Sequence, residues 1–287
     1  MAFTGKATYS SGMTLPDGAE DISDIVGIIS PFTAPLLGAL GDPLREATSS
    51  RHEWLEDVPG DWKERIRCGN YTQVFTATVE ASVGGTAHTP DGSLSDELDF
   101  QKQERLREMI CDLENSLING GQPTNGQHTN PPVVRKMNGI RTLLKSNVTD
   151  ASGKELDEEQ ITVMIRRIWE TSDGNVDLIV VGGFQKRKIN EFCARGGNPD
   201  KALDPIVTIY ESDFGICRIV TTRWLPQDVA LFLDSSRISV LPLAGRSFHF
   251  KPLASAGDYE CGELIGEYTL ELKNQAAHGL IRNLTTS

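Results

Sequence analysis

One run of seven residues, Arg51-His-Glu-Trp-Leu-Glu-Asp57, gathers a histidine, a tryptophan and three carboxylates. It begins like the helix of a zinc protease, H-E-x-x-H, in which two histidines one turn apart hold a metal and the glutamate activates water. The fifth position here is Glu56, so the second ligand is missing, and the run alternates with the period of a strand. The other histidines, 88, 128, 249 and 278, are scattered, and no pair has metal-ligand spacing with a third ligand nearby. His249 alternates with Phe248 and Phe250 and reads as facing out of a strand. A second run, Val176-Asp-Leu-Ile-Val-Val-Gly-Gly183, has the order strand, glycines, helix. It lacks both G-x-G-x-x-G and G-x-x-x-x-G-K-S/T, so it reads as a strand ending in a turn. No G-x-S-x-G elbow occurs, and nothing places a histidine beside a cysteine. Asp157-Glu-Glu159 is explained by the field at a helix start. Catalytic residues, a metal and a cofactor are therefore not expected.

If residues 51–57 form a strand, Trp54 shares a face with His52 and Glu56, and Glu53, Leu55 and Asp57 take the other. Two readings follow: a hairpin packed on its own domain, or an aromatic anchor offered to a partner protein.

The elements that would position this run can be read along the chain. Residues 1–22 are rich in Gly, Ser and Thr and read as an extended arm. Asp21–Pro31 and Thr33–Gly41 are short apolar pieces, each ended by Pro or Gly. Residues 51–57 and 70–80 read as strands of one hairpin with a turn signal at Pro59-Gly60-Asp61. From Ser95 to Asn119 the period becomes helical, with Leu98, Leu106, Met109, Ile110, Leu113 and Leu117 on one face. Ser93 or Ser95 can cap that helix, and Gly120 lies just past its end. Residues 120–132 read as a loop. A second amphipathic helix is expected at 157–171, capped by Asp157, with Ile161, Met164, Ile165 and Ile168 as its stripe and Gly174 as its stop. A buried strand at 176–181 precedes a helix at 184–192. Residues 206–210 and 216–222 suggest a hairpin, and later strands are expected near 229–233, 238–243 and 262–273.

The 287 residues carry a formal net charge of -12, with 38% apolar and 24% charged positions. The densest basic run is Gln185-Lys-Arg-Lys188, so sequence-specific or tight nucleic-acid binding is not expected. No apolar run is long enough for a membrane span, and the first 20 residues lack the apolar centre of a secretory signal. Cysteines 68, 111, 193, 217 and 261 are widely spaced without a C-x-x-C, which points to reduced thiols in a cytoplasmic setting. The sequons at Asn70, Asn147 and Asn283 then carry no glycan.

Several runs together resemble a known family: Asp21-Ile-Ser-Asp-Ile-Val-Gly-Ile-Ile-Ser-Pro31 with Thr33-Ala-Pro-Leu-Leu-Gly-Ala-Leu40, Arg51–Asp57, Asn70-Tyr-Thr-Gln-Val-Phe75, Arg135-Lys-Met-Asn-Gly-Ile140 and Val176–Phe192. Their order resembles the major capsid proteins of tailed bacteriophages, which have the Hong Kong 97-type fold, and most of all the SU10-like branch. The resemblance runs from about residue 20 to 285. It implies an α+β chain with an N-terminal arm at 1–48 and an E-loop hairpin at 49–90. A peripheral domain with a long spine helix follows at 91–139, then an axial domain at 140–230 and closing peripheral strands at 231–287. It implies self-assembly into hexamers and pentamers of an icosahedral head that encloses double-stranded DNA, located in the virion after assembly in the host cytoplasm. Portal, scaffold and decoration proteins are the implied partners. Trp54, His52, Glu53, Glu56, Tyr71 and Phe75 are the expected inter-subunit contacts. Some proteins of this fold form lysine–asparagine crosslinks, for which Lys63 is the candidate. Only residues 58–69 separate the two expected strands, fewer than is usual in the family, so a short E-loop is expected. An encapsulin-like compartment shell shares the fold and stays open as a second reading. A soluble nucleotide-binding hydrolase using Gly182-Gly183 is a third.

Overall fold

The computed structural model describes residues 33–41, 45–58, 61–82, 94–121, 134–196, 209–254 and 259–286. The arm read from composition at 1–22, the element at 21–31, residues 122–132 of the expected loop, His88 and His128 lie outside them. The chain begins with α1 (Pro35–Leu40), β1 (Arg51–Val58), β2 (Asp61–Tyr71), β3 (Gln73–Ser82) and α2 (Leu94–Asn119). Next come α3 (Ile140–Leu143), β4 (Val148–Asp150), α4 (Glu158–Thr171), β5 (Leu178–Val181) and α5 (Gly183–Gly196). The remaining strands are β6 (Ile209–Ser212), β7 (Gly215–Thr221), β8 (Ala230–Leu233), β9 (Ile238–Pro242), β10 (His249–Pro252), β11 (Tyr259–Leu272) and β12 (Gly279–Arg282).

The spine helix α2 has 26 residues and so is about 39 Å long. Leu106, Met109, Ile110, Leu113 and Leu117 are buried along it, as their spacing requires, and Ile118 joins them. One turn beyond, Gly120 and Gly139 close the neck of the following loop, with the Gly139 N–H donating to Gly120 O at 3.0 Å. A Cβ on Gly120 would come within 2.6 Å of the Gly139 nitrogen, so no side chain fits there.

Six strands form a mixed sheet in the order β4-β12-β8-β5-β7-β6. β5 and β7 are parallel and joined through α5, while β8 runs antiparallel to β5. Leu-Ile-Val-Val of β5 and Ala-Leu-Phe-Leu of β8 are buried at every position because the sheet is covered on both faces. One face packs Leu178, Val180, Leu231 and Leu233 into the core that holds α2. The other packs Ile179, Val181 and Phe232 against the α4 stripe of Ile161, Met164, Ile165 and Ile168. Asp157 caps α4, accepting the Gln160 N–H at 2.8 Å. The 206–222 hairpin is tighter than its apolar residues suggest, turning between Ser212 and Gly215.

A second sheet pairs β3 with β11, and β11 with β10 and β9, all antiparallel. Here one expectation is corrected. Residues 70–80 are not the partner of 51–57: β1 pairs with β2, from Arg51↔Tyr71 to Val58↔Asp61, and the ribbon is a sheet of its own. β3 instead pairs with β11 over its whole length. The polar stretch 61–69 is a strand despite its charges because a ribbon open to water needs no apolar face. The last strand, β12, which the sequence does not announce, lies in the six-stranded sheet between β4 and β8.

Candidate subunit interface

Alternation along β1 puts His52, Trp54 and Glu56 on one face of the ribbon, as expected, opposite Asn70, Cys68 and Ile66. The Trp54 indole N–H donates to Glu56 Oε1 at 2.7 Å, and the His52 ring lies 5.8 Å from the Trp54 ring. Trp54 is only 8% exposed within the single chain. On the other face, Glu53 pairs with Arg51 at 3.0 Å and with Arg67 at 3.4 Å. The Arg51 guanidinium also lies 5.8 Å from the Tyr71 ring. The large apolar side chains that the ribbon presents to water are Leu55, 57% exposed, and Ile66, 53% exposed. Phe75 is 6% exposed and packs edge-on to Phe248 in the core, well away from Leu55 and Ile66 in character. The backbone of Lys63 is in β2, and its side chain lies outside the described residues.

The root of the ribbon is held by groups that the sequence reading did not single out. On β11, Tyr268, Leu270 and Leu272 are buried on one side, while Glu267, Thr269 and Glu271 are buried on the other. Such carboxylates need partners, because an unpaired buried charge is strongly unfavourable. Glu271 takes three partners: His52 Nε2 at 3.0 Å and the cations Arg45, Nη2 at 3.1 Å, and Lys273, Nζ at 3.1 Å. Burial works to raise its carboxyl, but the His52 and Lys273 contacts, helped by Arg45, hold it down at about 2. Glu267 pairs with Arg135 and with Arg246, the latter at 3.2 Å, and accepts the Thr72 hydroxyl.

Asn70 completes the joint where β2 gives way to β3. Its amide donates to the Asn138 and Leu270 carbonyls, each at 3.0 Å, and its oxygen accepts the Asn138 N–H at 2.8 Å. Thr72 N–H donates to Ser50 O at 2.9 Å, and Arg135 Nε to Thr72 O at 3.0 Å. Thus the Asn70–Phe75 and Arg135–Ile140 runs meet at one place. The signal for the carboxylates was the alternation Glu-Tyr-Thr-Leu-Glu in β11, which is buried on both faces.

The other chemical candidates are occupied structurally. The N–H of Phe184, at the start of α5 after Gly182-Gly183, donates to Gln227 Oε1 at 2.8 Å. Gln185 in turn donates to the Gln227 and Thr285 carbonyls, each at 2.8 Å. A protein side chain thus sits where a nucleotide phosphate would bind a helix start. His278 is fully buried, receives the Asp234 N–H on Nδ1 at 3.1 Å, and is lowered by burial to about 4, so it is neutral. Burial likewise pushes the Cys217 thiol up to about 11, which disfavours a nucleophilic thiolate. Among the described residues no three of His, Cys, Asp or Glu converge as a metal site, and no helix is long and apolar enough to cross a membrane.

Comparison with known proteins gives a consistent picture. The sequence profile of the family described as SU10 major capsid protein matches residues 59–285. No curated protein sequence matches the chain. Among solved structures, the capsid asymmetric unit of cyanophage A-1(L) superposes with a TM-score of 0.63 at 11% identity, covering 88% of this chain and 93% of that one. A structure from Gordonia phage Cozz gives 0.56 at 12% identity over 96% and 99%. The SrpI encapsulin of Synechococcus elongatus gives 0.59 at 10% identity over 84% and 85%. At these identities the superpositions establish a shared Hong Kong 97-type fold.

Proposed function

The chain belongs to the SU10 major capsid protein family, and from that premise we propose that it closes into hexamers and pentamers of an icosahedral phage head around double-stranded DNA. In this reading the β1–β2 ribbon is the E-loop, laid on a neighbouring subunit. The observation that carries it is a ribbon belonging to neither large sheet, tied down at its root and bearing Leu55 and Ile66 in water. Eight strand residues reach about 27 Å, a short limb but one able to cross onto an adjacent surface. Trp54 and His52 then act mainly by fixing the ribbon's angle at its root, while Leu55 on the Arg51–Glu53–Arg67 face and Ile66, beside Glu56 on the Trp54 face, meet neighbouring surfaces. Tyr71 supports Arg51 at the root, and Phe75 supports the sheet beneath.

The spine helix with the β3–β11 sheet would form the peripheral domain, and the six-stranded sheet with α4 and α5 the axial one. The shell repeats weak contacts by symmetry, which suffices for a stable closed object. Portal, scaffold and decoration proteins would be its partners, the host cytoplasm its place of assembly, and the net charge of -12 suits enclosure of DNA rather than tight binding to it. The fold shared with SrpI encapsulin supports a second reading, a compartment shell around cargo proteins.

Electron microscopy of purified full-length protein tests both readings. Closed shells or hexameric rings are expected; a strictly monomeric species at high concentration contradicts them. Nuclease-protected DNA in shells isolated from the source of the protein supports the head reading, and nucleic-acid-free shells filled with protein support the compartment.

A further inference from the structure

We propose that Glu114 is a pH-operated latch that holds the N-terminal segment 33–41 against the spine helix. Helix α1 begins without a side-chain cap of its own: Ala34 occupies the cap position, and Pro35 follows it. A six-residue helix of this kind leaves its first amides unsatisfied. Glu114, 78 positions away on α2, supplies the missing acceptor. Its Oε2 receives the Leu36 N–H at 3.1 Å and the Leu37 N–H at 3.3 Å. Its Oε1 receives the Thr222 hydroxyl at 2.8 Å. One carboxyl therefore joins three segments: α1, α2 and the residue after β7.

The joint is dry. Glu114 is 0% exposed, and Leu36 and Leu37 are buried with it. Few charges face it. Arg223, an exposed residue beside Thr222, favours the carboxylate. Cys111, one turn back on α2 with its Sγ 3.9 Å from Thr33 O, is the other titratable neighbour. α1 itself, Pro-Leu-Leu-Gly-Ala-Leu, has no ionisable side chain. Burial therefore outweighs the Thr222, Leu37 and Leu36 hydrogen bonds and Arg223, and lifts the carboxyl from 4.5 to about 7.

The direction of the switch follows. The docked state holds the proton more tightly than an opened state in which water reaches Glu114. Docking is thus favoured in full below about 4.5, and that advantage is lost as pH rises through about 7. Below the midpoint a neutral carboxyl still accepts both amides and can donate to Thr222. Above it a buried charge remains, and lifting α1 relieves it. The latch adds to the assembly reading without depending on it.

Hydrogen exchange of the full chain at pH 5 and pH 8.5, corrected for intrinsic rates, tests this. Protection of the Leu36 and Leu37 amides is expected to fall on the order of 50-fold between the two, while Ile179 and Leu231 in the six-stranded sheet change little. Glu114→Gln, which keeps an acceptor and removes the charge, is expected to give the same protection at both pH values. Equal protection in the parent protein, or an unchanged pH dependence in Glu114→Gln, overturns the proposal. Should that variant fail to fold, Arg223→Gln on the surface gives a second reading: the midpoint moves up if Glu114 titrates, and a midpoint that stays or falls contradicts it.

Discussion

The six-stranded sheet and the β1–β2 ribbon solve the same problem, pairing backbone hydrogen bonds, by opposite means. In the sheet, β5 and β8 are apolar at every position and buried on both faces between α2 and the α4–α5 layer. Removing water from that surface holds it, at about 25 cal/mol per Å². The ribbon is a sheet of two strands with charges on nearly half its positions, and an isolated hairpin is marginal in water. Its orientation comes from its root, where Glu271, Glu267 and Asn70 link it to β11 and to residues 135–138. The sheet is a rigid body; the ribbon is a limb on an ionic joint.

That contrast can be broken at either end. The largest effect is expected from Phe232→Ala in β8, where a fully buried ring would leave a cavity. A loss of about 3–5 kcal/mol in denaturant unfolding is expected, with the whole chain affected. Glu271→Gln comes next, at about 2 kcal/mol, because Arg45 and Lys273 lose their counter-charge, though both stay partly hydrated, and His52 loses its partner. This joint also has a pH signature. Its carboxyl is depressed in the folded state, so its stabilisation is complete above about 4.5 and drains away as pH falls toward 2. Melting curves of the parent and Glu271→Gln should converge over that window; a constant gap would mean that charge is not what matters. Asn70→Ala removes four hydrogen bonds at the root and leaves backbone groups of Asn138 and Leu270 unmatched, for about 1–3 kcal/mol. Exchange of the β1–β2 amides should rise more than that of β5 in this variant.

The sequence was readable where one physical term dominates locally. The α2 and α4 stripes, the Asp157 cap and the buried Leu178–Val181 strand each follow from period, cap chemistry or run length, and the structure contains them. The pairing of Trp54 with His52 and Glu56 on one face was equally local. Three features were not. Strand β2 hid because Lys63, Glu64, Arg65 and Arg67 look like loop chemistry until a partner strand is supplied. Glu267 and Glu271 were not singled out because Arg135, Arg45 and His52 lie 132 to 226 positions away. For Trp54 the alternation left both a packed hairpin and an offered anchor open, and its 8% exposure depends on chain contacts that local pattern does not carry.

The smallest effect on stability and the largest on assembly should coincide at the ribbon's exposed residues. Replacing Leu55 and Ile66 with aspartate alters side chains already in water, so unfolding should shift by no more than about 0.5 kcal/mol. Negative-stain microscopy of the Leu55→Asp, Ile66→Asp double variant, beside the parent protein under the same conditions, is the most direct test. A folded, soluble protein that no longer closes into shells is the expected result. Normal shells from that variant would contradict the assignment of the ribbon to a neighbouring subunit.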